Sequence, residues 1–521
     1  MAYAPLLLAS RGLTGERDPS RIKTGDLIVA TNLDLTAGNL AQKAGGSSKV
    51  NAVAISSGPH IVSGIEWVPT AGTTRRVIGT NDGRLMKDDM TGAFATTLAS
   101  GLTASSTIWL LEAGAEIAGN NRKLFAFTGN NTPQVLSADG ATTTGVATPH
   151  GDWSAANQPQ FGFIFRNSVV AAGNTNAAHR VYGSTPTNHE DYTGGTSFTL
   201  NIYPGEGHKI VGGITAVSRG FIFKYPTGIY WINDAAETVA GWYSQPATRQ
   251  FGAADTPHAI TQVDQGTVAF LTSSGDIVLM QETGGSLSGV EFINLTKALN
   301  LRSFMRNNFN LGLLAQCQLK WYDDKKELHL LIPALGATTN TRRLVIDFNE
   351  ERTRVYTIDK DVNQSMWFEK DSDGIYRPHT GDVSGFVWRL DKVDRDVAGA
   401  SYTFKVQTAH TDFSDIDTNF MVKKLFYRIH LEYEPTGDYD LACDIIVDGQ
   451  TIGTANFNQG DSVAQLPFTL SAVLGGEDLR RRSRDIAGEG YYISLVFRES
   501  GAHNPRIARA WVEFKPLSAA R

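Results

Sequence analysis

Cysteine is almost missing from this chain: 521 residues contain only Cys317 and Cys443. Two thiols so far apart offer neither a disulfide framework nor a zinc cluster, and they fit synthesis in a reduced, intracellular compartment. Long apolar runs are missing too. The stretch Pro5-Leu6-Leu7-Leu8-Ala9 is too short to cross a bilayer and has no basic region before it, so neither a signal peptide nor a membrane-spanning segment is expected. No excess of positive charge exists either. With 47 Lys and Arg against 53 Asp and Glu the net charge is −6, which excludes a chain that grips nucleic acid as a whole.

Catalytic constellations are equally scarce. His189-Glu190 lacks a second histidine at zincin spacing. Asp359-Lys360-Asp361-Val362-Asn363 begins like a calcium loop, but Gln364 stands where glycine is needed and Lys370 where the bidentate glutamate belongs. Neither a phosphate loop nor a nucleophile elbow is present. Asn81-Asp82-Gly83, Ser274-Gly275-Asp276 and Asp373-Gly374 faintly resemble sialidase Asp boxes, yet tight turns alone require those residues. Carboxylates are plentiful without one pair standing out as a glycosidase couple. A non-enzymatic protein with no cofactor and no metal is the expectation.

What is present is glycine (52 residues), 10% aromatics and a succession of short strand-like runs. Gly220-Phe221-Ile222-Phe223-Lys224-Tyr225 turns at Pro226-Thr227-Gly228 into Ile229-Tyr230-Trp231-Ile232. Thr267-Val268-Ala269-Phe270-Leu271 turns at Ser273-Ser274-Gly275-Asp276 into Ile277-Val278-Leu279-Met280. Aromatic and β-branched runs joined by a Gly-containing turn signal hairpins, and their spacing is that of propeller blades, on the order of 40–50 residues. About seven such units lie between residues 60 and 395, predicting an all-β β-propeller; a pair of β-sandwiches gives the same local signal. Leu295 to Met305 reads as a short helix inserted between blades. The expected division is 1–60 as an N-terminal arm, 61–395 as propeller and 396–521 as an antiparallel β-sandwich.

Two basic clusters are candidate partner contacts. Arg17, Arg21 and Lys23 lie in the N-terminal segment, which reads either as a loosely packed arm or as one that docks on a neighbouring subunit. Arg480, Arg481, Arg482 and Arg484 read as a loop that meets phosphate or an acidic partner surface, or else as a solvated loop or an intersubunit ion pair, since Asp478 and Asp485 flank it.

The segments Asn32-Leu33-Asp34-Leu35 through Lys43-Ala44-Gly45-Gly46, Arg180-Val181-Tyr182-Gly183-Ser184-Thr185-Pro186, the hairpin around Phe221 and Trp231, Gly252 with Thr267 to Asp276, His379 to Asp391, and Phe426 to Glu432 with Asp448-Gly449 and the late arginines stand in this order along the chain. Together they resemble the β-propeller tail nozzle or head-to-tail hub proteins of tailed, especially short-tailed, bacteriophages. Their order along the chain carries the resemblance more than any one of them. It implies a structural virion protein of the tail, made in the host cytoplasm and forming a ring of six copies below portal and adaptor. Tail fibres would be further partners, and DNA would pass along the axis without specific binding. An acidic channel wall suits that role, because each phosphate neutralised by Lys or Arg adds affinity and hinders sliding. The alternative is a glycan-binding or glycosidase-like propeller of a phage fibre or bacterial surface, with Trp231, Trp242 and Tyr243 as stacking platforms. A bacterial propeller scaffold unrelated to phage is a third reading.

Overall fold

The computed structural model describes residues 2–6, 12–15, 23, 25–35, 40–70, 73–104, 107–113, 122–136, 143–154, 157–283, 289–349, 353–361, 364–370, 373–413, 422–460 and 479–517. Six four-stranded antiparallel units, at 61–99, 109–145, 161–201, 209–248, 260–294 and 318–358, follow one another in chain order. Their local chemistry is that of hairpins. In the third, Phe161–Phe165 pairs with Ser168–Ala172 across Arg166 and Asn167, both with positive φ (48° and 59°), the two-residue turn whose twist matches the strands.

A seventh unit has only three strands of its own, Ser365–Lys370, Tyr376–Gly381 and Val387–Lys392. Its fourth is Gly46–Lys49, where Trp388 pairs with Lys49 and Arg389 with Ser48. The first strands of successive units pack side by side all the way round, and Ser365–Lys370 packs on Ile61–Thr70. These contacts close a seven-bladed β-propeller, an architecture that buries each blade on the next. The last seam is tight. A Cβ on Gly64 would lie 2.4 Å from the Trp367 ring, so only glycine lets blade one approach blade seven this closely.

At one end of the ring the second-to-third-strand turns of each blade are tied to the linkers between blades. Leu102 N–H donates to the Gly83 carbonyl (3.1 Å), Gly228 N–H to Phe251 (3.0 Å), Asn310 N–H to Pro333 (2.9 Å) and Ile55 N–H to Gly385 (3.0 Å). Backbone groups that a loop would otherwise leave to water are thereby satisfied within the ring.

The expected single helix is two, α1 Leu295–Ala298 and α2 Arg302–Asn308, broken at Asn300 with φ 54°. They link blades five and six, with Asn294 capping α1 through the Lys297 N–H.

The sandwich differs most from its sequence expectation, because it does not consist of 396–521 alone. In one sheet Ala2–Leu6 and Ala41–Lys43 pair with successive parts of one edge of Arg506–Pro516, whose other edge pairs with Lys424–Tyr433, followed by Arg480–Gly490. In the other, Asp26–Thr31 lies beside Phe404–Thr408, then Ile493–Glu499, Asp440–Val447 and Gln450–Asn458. Thr31 also bridges to Thr357 on the outer strand of blade six, so that blade and this sheet are one ten-stranded sheet. Residues read as an N-terminal arm are thus, where described, built into both domains. Their strand partners lie hundreds of residues away, and no local pattern encodes such pairing. Phe404, Phe426, Ile429, Leu431, Leu441, Cys443, Phe497 and Phe514 fill the core between the sheets.

Candidate functional site

The place where N-terminal strands, blades six and seven and the sandwich meet is rich in buried charge. Lys325 lies 3.3 Å from Asp34 and 3.0 Å from Asp391. Glu327 accepts from the Tyr356 hydroxyl (2.6 Å) and pairs with His329 (2.9 Å). Lys360 and the Ser47 hydroxyl meet on Asp361, at 2.8 and 2.9 Å. Lys43 reaches Glu499 (2.8 Å) and sits over the Tyr402 ring at 4.3 Å. Each of the three structural parts supplies members of this network.

Its electrostatics are those of a lock. Burial would raise Asp391, but Lys325 and Arg343 hold its carboxyl well below the usual range. Lys325 rises well above its ordinary value because Asp34, Asp391 and Glu327 outweigh its own burial. Burial dominates elsewhere, pushing the Tyr356 hydroxyl up and the Lys360 and Lys43 ammonium groups down. These groups are committed to one another, so the network holds geometry.

Beside it opens a cleft of about 450 Å³ between Ile28–Thr31, α2 and the Arg342 end of blade six. Asn307, Asn308, Arg342 and His410 bring polar groups to a wall otherwise made by Leu13, Phe304 and strand backbone. Burial lowers the His410 pKa, disfavouring the charged form of its ring. Arg342 is 3.9 Å from Asp359. The cleft pairs one cation with amide donors and acceptors. No group of three metal-binding side chains occurs here or elsewhere among the described residues.

Of the basic residues singled out from sequence, Arg17 and Arg21 lie outside the described residues. Lys23 is exposed, and its backbone N–H donates to Asp26. The arginine cluster is not a loop: Arg480–Gly490 is an eleven-residue strand at the margin of its sheet. Arg482 donates to the Tyr433 hydroxyl (2.8 Å) and Arg484 to the Asn456 carbonyl (2.8 Å). Arg481 and Arg509 each stack against Trp511, 5.0 and 4.9 Å from its ring centre. The two clusters are not brought together by any described contact. Sequence reasoning missed the buried network entirely, since its members are single charged residues scattered from Asp34 to Glu499.

The residues proposed as sugar platforms are mostly occupied. Trp242 packs on Phe165 and Phe198, with centroids 5.8 and 5.0 Å apart. The Arg219 guanidinium covers Trp231 at 4.5 Å. Tyr243 is half exposed, and its hydroxyl accepts from Asn233 and Gln245. Asp359 and Asp361, of the calcium-like segment, are engaged by Asn32 and Lys360.

No protein-family model and no curated protein matches the chain. Among solved structures it is similar to BBS1N in complex with ARL6DN, at 11% identity and a TM-score of 0.40, over 67% of this chain and 97% of that one. It is also similar to U3-55K, at 9% identity and a TM-score of 0.41, over 66% of this chain and 99% of that one.

Proposed function

We propose that the chain is a structural, non-enzymatic subunit of a phage tail, a nozzle or hub protein that assembles into a ring around the path of DNA. One observation carries the reading: propeller and sandwich share a ten-stranded sheet and a buried charge network, which makes a single stiff block. A block without an internal hinge suits a wall that must keep its bore while DNA moves past. The order of phage-like segments along the chain supports the tail position, and the net charge of −6 suits a wall that should not hold DNA. The marginal strand Arg480–Gly490 is a candidate edge for a neighbour with an acidic surface, because arginines along an edge discourage unselective strand addition.

Native mass spectrometry of the full chain, together with peptide mass spectrometry of gradient-purified virions, tests this. The expected result is a closed ring of about six subunits and the presence of the chain in particles. A protein that stays monomeric at micromolar concentration and is missing from particles overturns the reading.

A further inference from the structure

Outside the junction, one chain of hydrogen-bonded side chains has the order that activates a hydroxyl. It lies on the face of the sandwich sheet turned away from the core, because Ile429, Leu431 and Tyr433 point inward and His430 alternates with them. On that face Trp511 and Ser483 stand on either side of His430. Glu513, two residues beyond Trp511 on the same strand, accepts from the His430 Nε2 at 2.7 Å, and the His430 Nδ1 meets the Ser483 hydroxyl at 2.6 Å. Glu513 and His430 are buried, 7% and 5% exposed, whereas Ser483 is exposed. A carboxylate has no proton to give, so Nε2 carries the hydrogen of that bond and Nδ1 is left to accept from Ser483. Nucleophile, base and orienting carboxylate are recognised by such geometry and not by position in a sequence.

Two further features bear on what this hydroxyl meets. Among the described residues Arg480–Gly490 ends its sheet, so every second backbone N–H along it points to the open side, and Ser483 or its immediate neighbours present such donors beside the hydroxyl. Arg481 is the next residue along the same face. It is exposed, stacks on Trp511 at 5.0 Å and forms no ion pair among the described residues. The neighbouring charges on this face are paired with each other: Arg428 donates to Asp485 (2.5 Å) and Arg509 to Glu432.

We propose that Ser483 is an activated nucleophile that accepts an acyl group from a carboxylic ester bearing a second, anionic carboxylate. His430 Nδ1 takes the hydroxyl proton as Ser483 Oγ bonds to the carbonyl carbon. The bond from that carbon to the leaving alkoxide then breaks, and the same proton passes from His430 to the alkoxide. The acyl group stays on Ser483 and the alcohol departs, so the step balances with no further reactant. Backbone N–H groups of the open edge stabilise the carbonyl oxygen as it gains charge, and Arg481 holds the distant carboxylate. Glu513 acts through His430 as a positioning residue. This single transfer modifies the chain and is independent of the ring reading.

The test incubates the full chain with the mono-para-nitrophenyl ester of succinate, and with para-nitrophenyl acetate as the neutral comparison. The expected result is a burst of nitrophenolate approaching one per chain, with a succinyl group on Ser483 in the peptide map and none on Ser218, an exposed serine in a turn of blade four. His430→Gln should slow the burst about a hundredfold, the scale of a positioned base. Arg481→Gln should erase the preference for the succinyl over the acetyl donor. In Glu513→Gln, nitrogen-15 spectra of the His430 ring should show its proton no longer confined to Nε2, a signature that a loss of packing does not produce. Ser218 acylated as fast as Ser483, or a burst unchanged in His430→Gln, overturns the proposal. If His430→Gln does not fold, the ratio of Ser483 to Ser218 labelling in the wild-type protein decides.

Discussion

At the scale of single residues, the buried ions set the expected sensitivities. Arg76 on blade one donates to Asp88 (2.7 Å) and, through two nitrogens, to Glu369 on blade seven, all three being buried. Arg76→Met strands two carboxylates in the closing seam, and such a break costs about 3–5 kcal/mol. Urea unfolding should show that loss, with part of it recovered in Arg76→Met combined with Glu369→Gln. Asp391 gives a pH signature. Its folded pKa lies below the unfolded value of about 3.9, so its contribution is complete above that pH and disappears as pH falls further. Asp391→Asn, which also tolerates the φ of 57° at this position, should lower stability at pH 7 and flatten the decline between about pH 4 and 2. Urea midpoints measured across that range check it. Sequence could not reveal these pairs: Arg76 and Glu369 sit in ordinary strand patterns, and only the closed ring makes them neighbours. The lone aromatics were misleading for a similar reason, since Trp242 looks like a platform until Phe165 and Phe198 are seen against it.

At the scale of elements, the hairpins were legible because both strands and the turn between them lie within a few residues. The sandwich strands were less so. Lys424–Tyr433 carries a bulge between Phe426 and Arg428, so Phe426 and then Ile429, Leu431 and Tyr433 face the core. A strict two-residue period would put Phe426 on the face opposite to Ile429, Leu431 and Tyr433, as a one-residue offset always does. Arg480–Gly490 was hidden by its charges, which belong to a marginal strand but resemble a loop. The N-terminal segment was hidden by distance. Its role in closing the ring yields a direct test. Ser48→Pro removes a ladder donor opposite Arg389 and should cost about 1–3 kcal/mol, with thermal melts reporting the loss for the whole molecule rather than for a frayed end. Gly64→Ala, placed against Trp367 in the same seam, should cost about 1–3 kcal/mol by overpacking, read by urea midpoint.

At the scale of the whole molecule, one sheet running from blade six into the sandwich predicts joint unfolding. Calorimetry of the full chain should show a single endotherm; two resolved transitions would mean that the junction does not couple the domains. The same scale governs contact with nucleic acid. With net charge −6, the purified protein should leave duplex DNA unshifted in an electrophoretic assay at about 150 mM salt, whereas retention there would contradict a wall that lets DNA slide. Seven recurring β units were readable from spacing, but whether they formed one ring or two sandwiches was not. The deciding contact is blade seven on blade one, and it depends on a strand taken from the opposite end of the chain.

That borrowed strand has a consequence for how the molecule comes to exist. Gly46–Lys49 leaves the ribosome early, but Val387–Lys392, which it must join, is translated long afterwards. Ala2–Leu6 must wait still longer for Arg506–Pro516, its partner in the described sheet. Six blades therefore emerge with their two end faces uncovered and apolar, a state open to misassembly until the later residues arrive. Closure of the ring and of the sandwich therefore waits for residues translated long after the strands they join. In the finished molecule Ala2 lies opposite Phe514, so strands far apart in order of translation lie side by side in one sheet.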